Sequence, residues 1–542
     1  MSMTVSRLST VFVGFFERSE MILRYFLLIF LLSAVCIFSV WRGTYNFDPH
    51  HWGLMLSNAQ DLASGKIPYR EIFIQYGFLT TVIHAIGYKL MGENLQSVIA
   101  ITSMLYALGL LGIYQLSYRV SNSRKLAMYS FVTCVLVHTL AIYPWSNYIA
   151  FPFIVYGVFF ALDPKPSKMS LFYAGLLFAI AVLCREGLFP AIFAIVIVIS
   201  FLNRHLKVEA SGGRSSGLVT FLVGFCIPLF SFFFYLWIAG NFHYWKVTAF
   251  DLPEIYSSIF LPNGLLFAVF DLGRRLLFEA YRFNVRIIFF CLVLASSVFT
   301  LFAVFFRMGS FYRRWDYFVV SMLSILLLSS ALHLTEVFRL ATGVGFGAII
   351  LYQLAARIKL DDILFFVFVI CLLARVGYKT PDEIIYEPTP LQLSNTVSGE
   401  FPSQFGKQVW PKETFEYYLS FQGVMLAIDK AGCGVKYYYN DTMDAFLAVL
   451  SPFQQYQIAP FGHGLHSIPS LDSLRPDLDY QRKIQVDKDI VVFQGVPNDS
   501  VEKYDPPAGY VVITRLETPP VRYDPVKSSL LILVPQACAA KL

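Results

Sequence analysis

Asn46-Phe47-Asp48-Pro49-His50-His51-Trp52-Gly53 is the stretch from which the rest of the chain is best read. It starts a few residues past an apolar run, Ile22 to Trp41, whose length of about 20 residues spans a hydrocarbon core of about 30 Å. Beyond it come Ala59-Gln60-Asp61-Leu62-Ala63-Ser64-Gly65-Lys66-Ile67-Pro68-Tyr69-Arg70-Glu71 and then Gln75-Tyr76-Gly77. Trp52, Leu56, Ala59 and Ala63 recur at helical spacing, so His50–Ser64 is expected to be a helix lying in the interface, ended by Gly65 and Pro68. Asp48 thus stands at the water–lipid boundary, just outside the first membrane-length segment.

Composition fixes the setting. The chain has 542 residues, of which 56% are hydrophobic and 14% charged. Its mean hydropathy is +0.59. Soluble domains carry about a quarter charged residues, so this is a polytopic membrane protein. The first apolar run lacks a small-residue cleavage site and is expected to be retained. Cys36, Cys134, Cys184, Cys226, Cys291 and Cys371 fall in apolar segments, where cysteine is an ordinary small hydrophobe. Cys433 and Cys538 lie in the polar tail, and the sequence leaves their pairing open.

Apolar runs of sufficient length predict about 11 transmembrane helices. They lie near 22–41, 97–117, 126–143, 148–162, 170–184, 188–203, 216–239, 285–306, 315–332, 337–356 and 361–377. The run at 77–91 is short for a span and is expected to lie in the interface. Alternate loops carry the basic residues: Arg7, Arg18 and Arg24, then Arg119, Arg124 and Lys125, Lys165 and Lys168, Arg204, Lys207 and Arg214, Arg307, Arg313 and Arg314, Arg357 and Lys359. The positive-inside rule then places the N-terminus in the cytoplasm. The long loops at about 42–96 and 240–284, and the C-terminal tail, fall outside. The expected fold class is mainly α and polytopic, with interfacial helices and a small C-terminal α/β soluble domain. The transmembrane domain covers 1–378 and the extracytoplasmic domain 379–542. In that tail Lys412–Lys430 reads as a helix, and Val435–Asn440, Ile490–Phe493, Tyr510–Arg515 and Leu530–Val534 as strands.

A carboxylate fixed at the boundary can take a proton from a hydroxyl, and a sugar on a lipid phosphate has its anomeric carbon at that depth. The leaving phosphate needs cationic or hydroxyl partners. Asp-Pro is equally a helix-opening pair, and one residue can serve as cap and base. Tyr69, Arg70, Glu71, Gln75 and Tyr76 follow as donor-site candidates. Arg185 and Glu186 sit at a span boundary, where the readings are a local ion pair or a lipid-phosphate contact. His333, Glu336 and Arg339 surround the start of another span, with Arg339 about a turn inside the membrane. Lys246 and the Arg274-Arg275 pair are weaker candidates in the second long loop. His50 and His51 point about 100° apart on a helix and make a poor metal site, so no metal and no cofactor is expected.

The arrangement resembles the GT-C superfamily of integral-membrane glycosyltransferases that use polyprenyl-phosphate sugars. It is most similar to the branch related to protein O-mannosyltransferases and the lipid A aminoarabinose transferase. Asp48 matches the catalytic Asp of the first external loop. Gly65-Lys66-Ile67-Pro68-Tyr69-Arg70-Glu71, Gln75-Tyr76-Gly77 and Cys184-Arg185-Glu186-Gly187 resemble later elements. The likeness covers about the first 200 residues. Pro49 follows Asp48 where a second acid would make a carboxylate pair. The resemblance implies an inverting transfer from a polyprenyl-phosphate sugar to a glycan, lipid or protein hydroxyl on the outer face, with Asp48 as general base. The enzyme would sit in a bacterial inner membrane with a periplasmic C-terminal domain and would use no nucleic acid. The rival classes are a transporter or flippase and a non-catalytic binder of lipid-linked glycans. A transporter would place charges at mid-depth and break its helices there.

Overall fold

The structure, a computed structural model, describes residues 26, 28–45, 48–137, 144–164, 167–205, 215–254, 263–281, 285–308, 314–328, 337–377, 396–399, 403–456, 458–459, 489–519 and 528–542. Helix α1 is Leu28–Gly43. It is followed by α2 (His51–Ala63), α3 (Phe78–Met91), α4 (Leu95–Ser121), α5 (Arg124–Val137), α6 (Ser146–Ala161) and α7 (Lys168–Cys184). A single 3-10 turn, Glu186–Leu188, leads into α8 (Phe189–His205) and α9 (Ser215–Ile238). Then come α10 (Phe242–Lys246), a π-turn at Val247–Asp251, α11 (Gly264–Tyr281), α12 (Val285–Phe305), α13 (Trp315–Leu328), α14 (Val337–Arg357) and α15 (Asp361–Gly377).

A helix stands at each apolar run read as a span, and α2 runs from His51 to Ala63, within a residue of the expected segment at both ends. Among the described residues three helical segments are long and apolar enough to cross a membrane: Leu95–Ser121, Gly217–Ile238 and Val285–Phe305. Leu28–Gly43, Ser146–Ala161, Lys168–Cys184 and Trp315–Leu327 are apolar but shorter. Large apolar side chains stay exposed on the outer surface of these helices, among them Phe230, Trp237, Phe299 and Phe302. An apolar surface of that kind is stable against lipid.

The C-terminal residues build a mixed sheet. A hairpin of β1 (Thr396–Gly399) and β2 (Gln408–Pro411) precedes α16 (Lys412–Lys430). Next are β3 (Tyr437–Asp441), α17 (Phe446–Leu450), β4 (Gln454–Gln455), β5 (Ile490–Pro497), β6 (Tyr510–Glu517), β7 (Ser528–Pro535) and α18 (Gln536–Ala539). The strand order is β4-β3-β5-β7-β6. Strand β3 pairs in parallel with β4 and β5, whereas β7 is antiparallel to β5 and β6. Every residue of β7 is buried, which is why its core reads as the unbroken apolar run Leu530–Val534. Helix α16 covers one face, with the Phe421 and Phe493 rings 5.0 Å apart. Cys433 and Cys538 form a disulfide, closing a sequence separation of 105 residues. The boundary expected between the two domains, at 378/379, lies outside the described residues.

The sheet unit rests on the helices. The Val409 N–H donates to the Thr44 carbonyl at 2.8 Å, Lys407 N–H to Gln96 Oε1 at 3.1 Å, and Ala445 N–H to the Pro49 carbonyl at 3.1 Å. Helix α17 packs on α2. Asp48 therefore lies between the two halves of the chain.

Candidate active site

The backbone fixes Asp48 first. Its Oδ1 accepts the His50 N–H at 3.0 Å and the His51 N–H at 3.1 Å, two of the donors that an opening helix leaves unpaired. The Asp-Pro pair is thus a cap in fact, and capping occupies one oxygen. The other, Oδ2, faces His51 Nδ1 at 3.3 Å. Burial raises the Asp48 pKa, but the charge and hydrogen bond of His51, the charge of His50 and the backbone N–H outweigh it. The carboxyl is held below its usual range. It is 7% exposed and ionised at neutral pH.

A second layer comes from elsewhere. The His51 ring lies 5.0 Å from that of Trp145 and 6.3 Å from that of Tyr76, and Tyr76 and Trp145 are 4.2 Å apart. The Arg185 guanidinium stands 5.6 Å from the Trp145 ring centre and donates to Ser146 Oγ at 3.0 Å. Trp145 and Ser146 open α6. Asn147 follows, 1% exposed, with both amide atoms buried and no hydrogen-bond partner among the described residues. The reading from sequence passed over Trp145, Ser146 and Asn147, which fall between the apolar runs near 126–143 and 148–162. The available signal was Ser-Asn opening a helix, a pattern that marks an N-terminus and says nothing of a ligand.

Glu186 turns to another group. Its Oε1 accepts from the Tyr69 hydroxyl at 2.7 Å and from Trp245 Nε1 at 3.2 Å. Burial raises the Glu186 pKa, and these two donors offset only part of that. Burial, followed by the Glu186 charge, pushes the Tyr69 hydroxyl well above its usual range. Tyr69 is 1% exposed and holds φ at +66°, a left-handed conformation that a bulky side chain rarely adopts. Asn241 Nδ2 donates to the Pro68 carbonyl at 3.1 Å, and the Ile67 N–H donates to Glu71 Oε2 at 2.7 Å. These bonds hold the 67–71 turn. Gly77 completes the junction at φ +107°, where an added Cβ would strike the Cys184 carbonyl just before Arg185. Thr80 Oγ1 donates to that same carbonyl at 2.6 Å.

Asp48, His51, Tyr76 and Arg185 are therefore brought together, with Tyr69 and Glu186 in the adjoining group. Gln75 has a buried Oε1 without a partner among the described residues. Arg70 and Glu71 are exposed, and so is Lys246, whose Nζ is 3.7 Å from Asp251. Arg274 and Arg275 are bound to Asp271 of their own helix at 2.8 and 2.6 Å. His333 and Glu336 lie outside the described residues. Arg339 falls in the first turn of α14, and its side chain lies outside them too. Among the described residues no group of three or more His, Cys, Asp or Glu is arranged to hold a metal ion.

Solved structures share this architecture. ArnT from Cupriavidus metallidurans bound to undecaprenyl phosphate aligns with a TM-score of 0.55 at 11% identity, over 94% of this chain and 97% of that one. Its apo state gives 0.51 at 11% identity, over 93% and 97%. The Archaeoglobus fulgidus oligosaccharyltransferase in complex with Zn and sulfate is more distant, at 0.44 and 10% identity over 85% and 67%. No family model and no curated protein matches the chain. The chain has the fold of ArnT over most of its length.

Proposed function

We propose that this membrane protein is an inverting glycosyltransferase that moves a sugar from a polyprenyl phosphate to a hydroxyl of a glycan, lipid or protein. The observation that carries the reading is Asp48. It is a buried, ionised carboxylate with one oxygen consumed by backbone N–H groups and the other beside His51. The bound lipid of the ArnT structure supports polyprenyl phosphate as the carrier class.

In the proposed step the acceptor O–H gives its proton to Asp48 Oδ2. The oxygen attacks the anomeric carbon from the face opposite the phosphate. The bond from that carbon to the phosphate oxygen breaks, and polyprenyl phosphate leaves with the electron pair. The anomeric centre is inverted once. The developing charge is met by Arg185, whose planar donors suit a phosphate. Ser146 and Trp145 hold that guanidinium, and the Asn147 amide beside them, without a partner among the described residues, offers a further donor. A buried amide left without a partner costs about 1–3 kcal/mol, a loss that a bound phosphate would recover. No cofactor takes part.

For location, we propose a bacterial inner membrane with the N-terminus cytoplasmic and the sheet unit periplasmic. The Cys433–Cys538 bond supports an oxidising side for that unit. Alkaline phosphatase fused after Pro381 should be active, and fused after Arg124 inactive. The reverse would overturn the orientation.

The functional test uses full-length protein in nanodiscs and titrates undecaprenyl phosphate. Arg185→Ala should weaken binding about tenfold or more, with Arg185→Lys recovering part of it. Unchanged affinity in a folded Arg185→Ala protein would send the search for the phosphate contact to Arg339 or Lys246.

A further inference from the structure

The soluble part of the chain reaches the Asp48 loop at one turn. Strand β3 ends at Asp441, and residues 440–446 are tied by their own bonds. The Asn440 Nδ2 donates to the Asp444 carbonyl at 2.8 Å, and the Asp444 N–H donates to Thr442 Oγ1 at 3.1 Å. The Asp444 carboxylate accepts from the Phe446 N–H at 2.9 Å on Oδ1 and from the Tyr418 hydroxyl at 2.7 Å on Oδ2, and the Leu447 N–H and the Tyr417 hydroxyl bear on it as well. The first opens α17 and the second anchors the turn to α16. Between Asp444 and Phe446, the Ala445 N–H donates to the Pro49 carbonyl at 3.1 Å.

The fit on the other side is close. A Cβ added to Gly53 of α2 would come within 2.9 Å of both Ala445 Cβ and the Phe446 nitrogen. Glycine at 53 is what lets the two backbones meet. Tyr418, 1% exposed, is near enough to both acids that Asp444 and, less strongly, Asp48 bear on its hydroxyl after burial. The Asp444 carboxyl is itself pushed up to about 7 by burial, against the pull of its donors.

We propose that the C-terminal unit is a working part of the active site, with Asp444 as the positioning residue that fixes the Pro49 backbone and so the orientation of Asp48. The proposal rests on Asp48 as the base. Asp444 does not touch the reacting atoms. It holds a turn whose N–H holds the residue next to the base. Displacement of a reacting group by about 1 Å costs about 10²-fold in rate.

The experiment uses full-length protein in nanodiscs and has two arms. The first is hydrogen–deuterium exchange at the His50 and His51 amides, which needs no substrate. The second is kcat and KM for release of undecaprenyl phosphate from a panel of undecaprenyl-phosphate hexoses and pentoses. Asp444→Ala should speed exchange at both amides and lower kcat by about 10²-fold, with KM for the donor within about twofold of wild type. Asp444→Asn keeps an acceptor for the Phe446 N–H and should restore most of both. Should Asp444→Ala fail to fold, Tyr418→Phe removes one bond to the same carboxylate and should move both readouts part of the way. Unaltered exchange and kcat in folded Asp444→Ala, or in Tyr418→Phe where Asp444→Ala does not fold, would overturn the proposal. Full activity in Asp48→Asn would overturn the general-base reading instead, while the exchange arm would still decide whether Asp444 orders the loop.

Discussion

Asp48 and Glu186 are two sheltered carboxylates joined through Arg185, Trp145 and His51, and their surroundings push them in opposite directions. Asp48 sits at the start of α2 with backbone N–H groups on one oxygen and an imidazole on the other, and its proton is held less tightly than usual. Glu186 has neutral donors, a phenol and an indole, and burial dominates. The same chemical group is thereby given two tasks. One is kept charged at the start of α2, where the proposed transfer needs a base, and the other is an acceptor that ties the 67–71 turn to α7 and α10. Acids separated in this way by environment are how one fold assigns distinct roles to similar side chains.

The widest separation should appear in turnover. Asp48→Asn keeps an oxygen for the His50 and His51 N–H groups and a good helix cap, but it cannot take a proton. Transfer should fall about 10²–10⁴-fold, with the fold retained. Glu186→Gln keeps an acceptor for Tyr69 and Trp245 and should lose less than about tenfold. The check is sugar transfer by both purified variants from the same polyprenyl-phosphate donor panel. Equal losses would abolish the distinction between the two acids.

Much of this arrangement was legible in sequence, and the illegible part has a common cause. Helix α2 followed from Trp52, Leu56, Ala59 and Ala63, and α16 from a helical run over Lys412–Lys430 that Gly432 and Gly434 stop, because helical periodicity and end signals are local. The two-residue strand β4 and the hairpin of β1 and β2 carry too few residues for a period of two to show. Asp48 stood out because a carboxylate beside a membrane-length helix is costly. The partners of Glu186 could not be read, since Tyr69 lies 117 residues before it and Trp245 59 residues after. Arg185 and Glu186 are adjacent in sequence, yet the bonds just described reach to different helices. Asp444 gave no signal at all, because its meaning lies in the contact of Ala445 with Pro49.

A middle-sized effect separates the acids by stability. Glu186→Ala leaves the Tyr69 hydroxyl and the Trp245 N–H without their acceptor in a buried place. An unpaired buried donor costs about 1–3 kcal/mol. Tyr69 also loses the bond that helps hold its left-handed backbone. The melting temperature of detergent-purified Glu186→Ala should drop clearly below that of Glu186→Gln. A drop of the same size in both would mean that the charge, and not the acceptor, is what the turn requires.

The smallest effect is the dependence of these differences on pH, and its sign is fixed by the two shifts. Asp48 binds its proton less tightly in the folded state than its ordinary value of 3.8 implies. It therefore contributes stability that is present above that value and is lost as pH falls through the folded one. Glu186 binds its proton more tightly than its ordinary value of 4.5 implies. Its contribution is full below that value and is lost as pH rises through the folded one. Neutral variants remove each linkage. Between pH 4 and pH 8, Asp48→Asn should lose melting temperature relative to the wild type, while Glu186→Gln should gain. A tenfold difference in proton affinity is worth about 1.4 kcal/mol, which in a chain of this size amounts to ~2 °C or less. Melting curves of the three proteins at both pH values, in one detergent and at one salt concentration, resolve such a crossing. Two curves displaced in the same direction would show that Asp48 and Glu186 share one electrostatic environment, and the division of labour between them would fail.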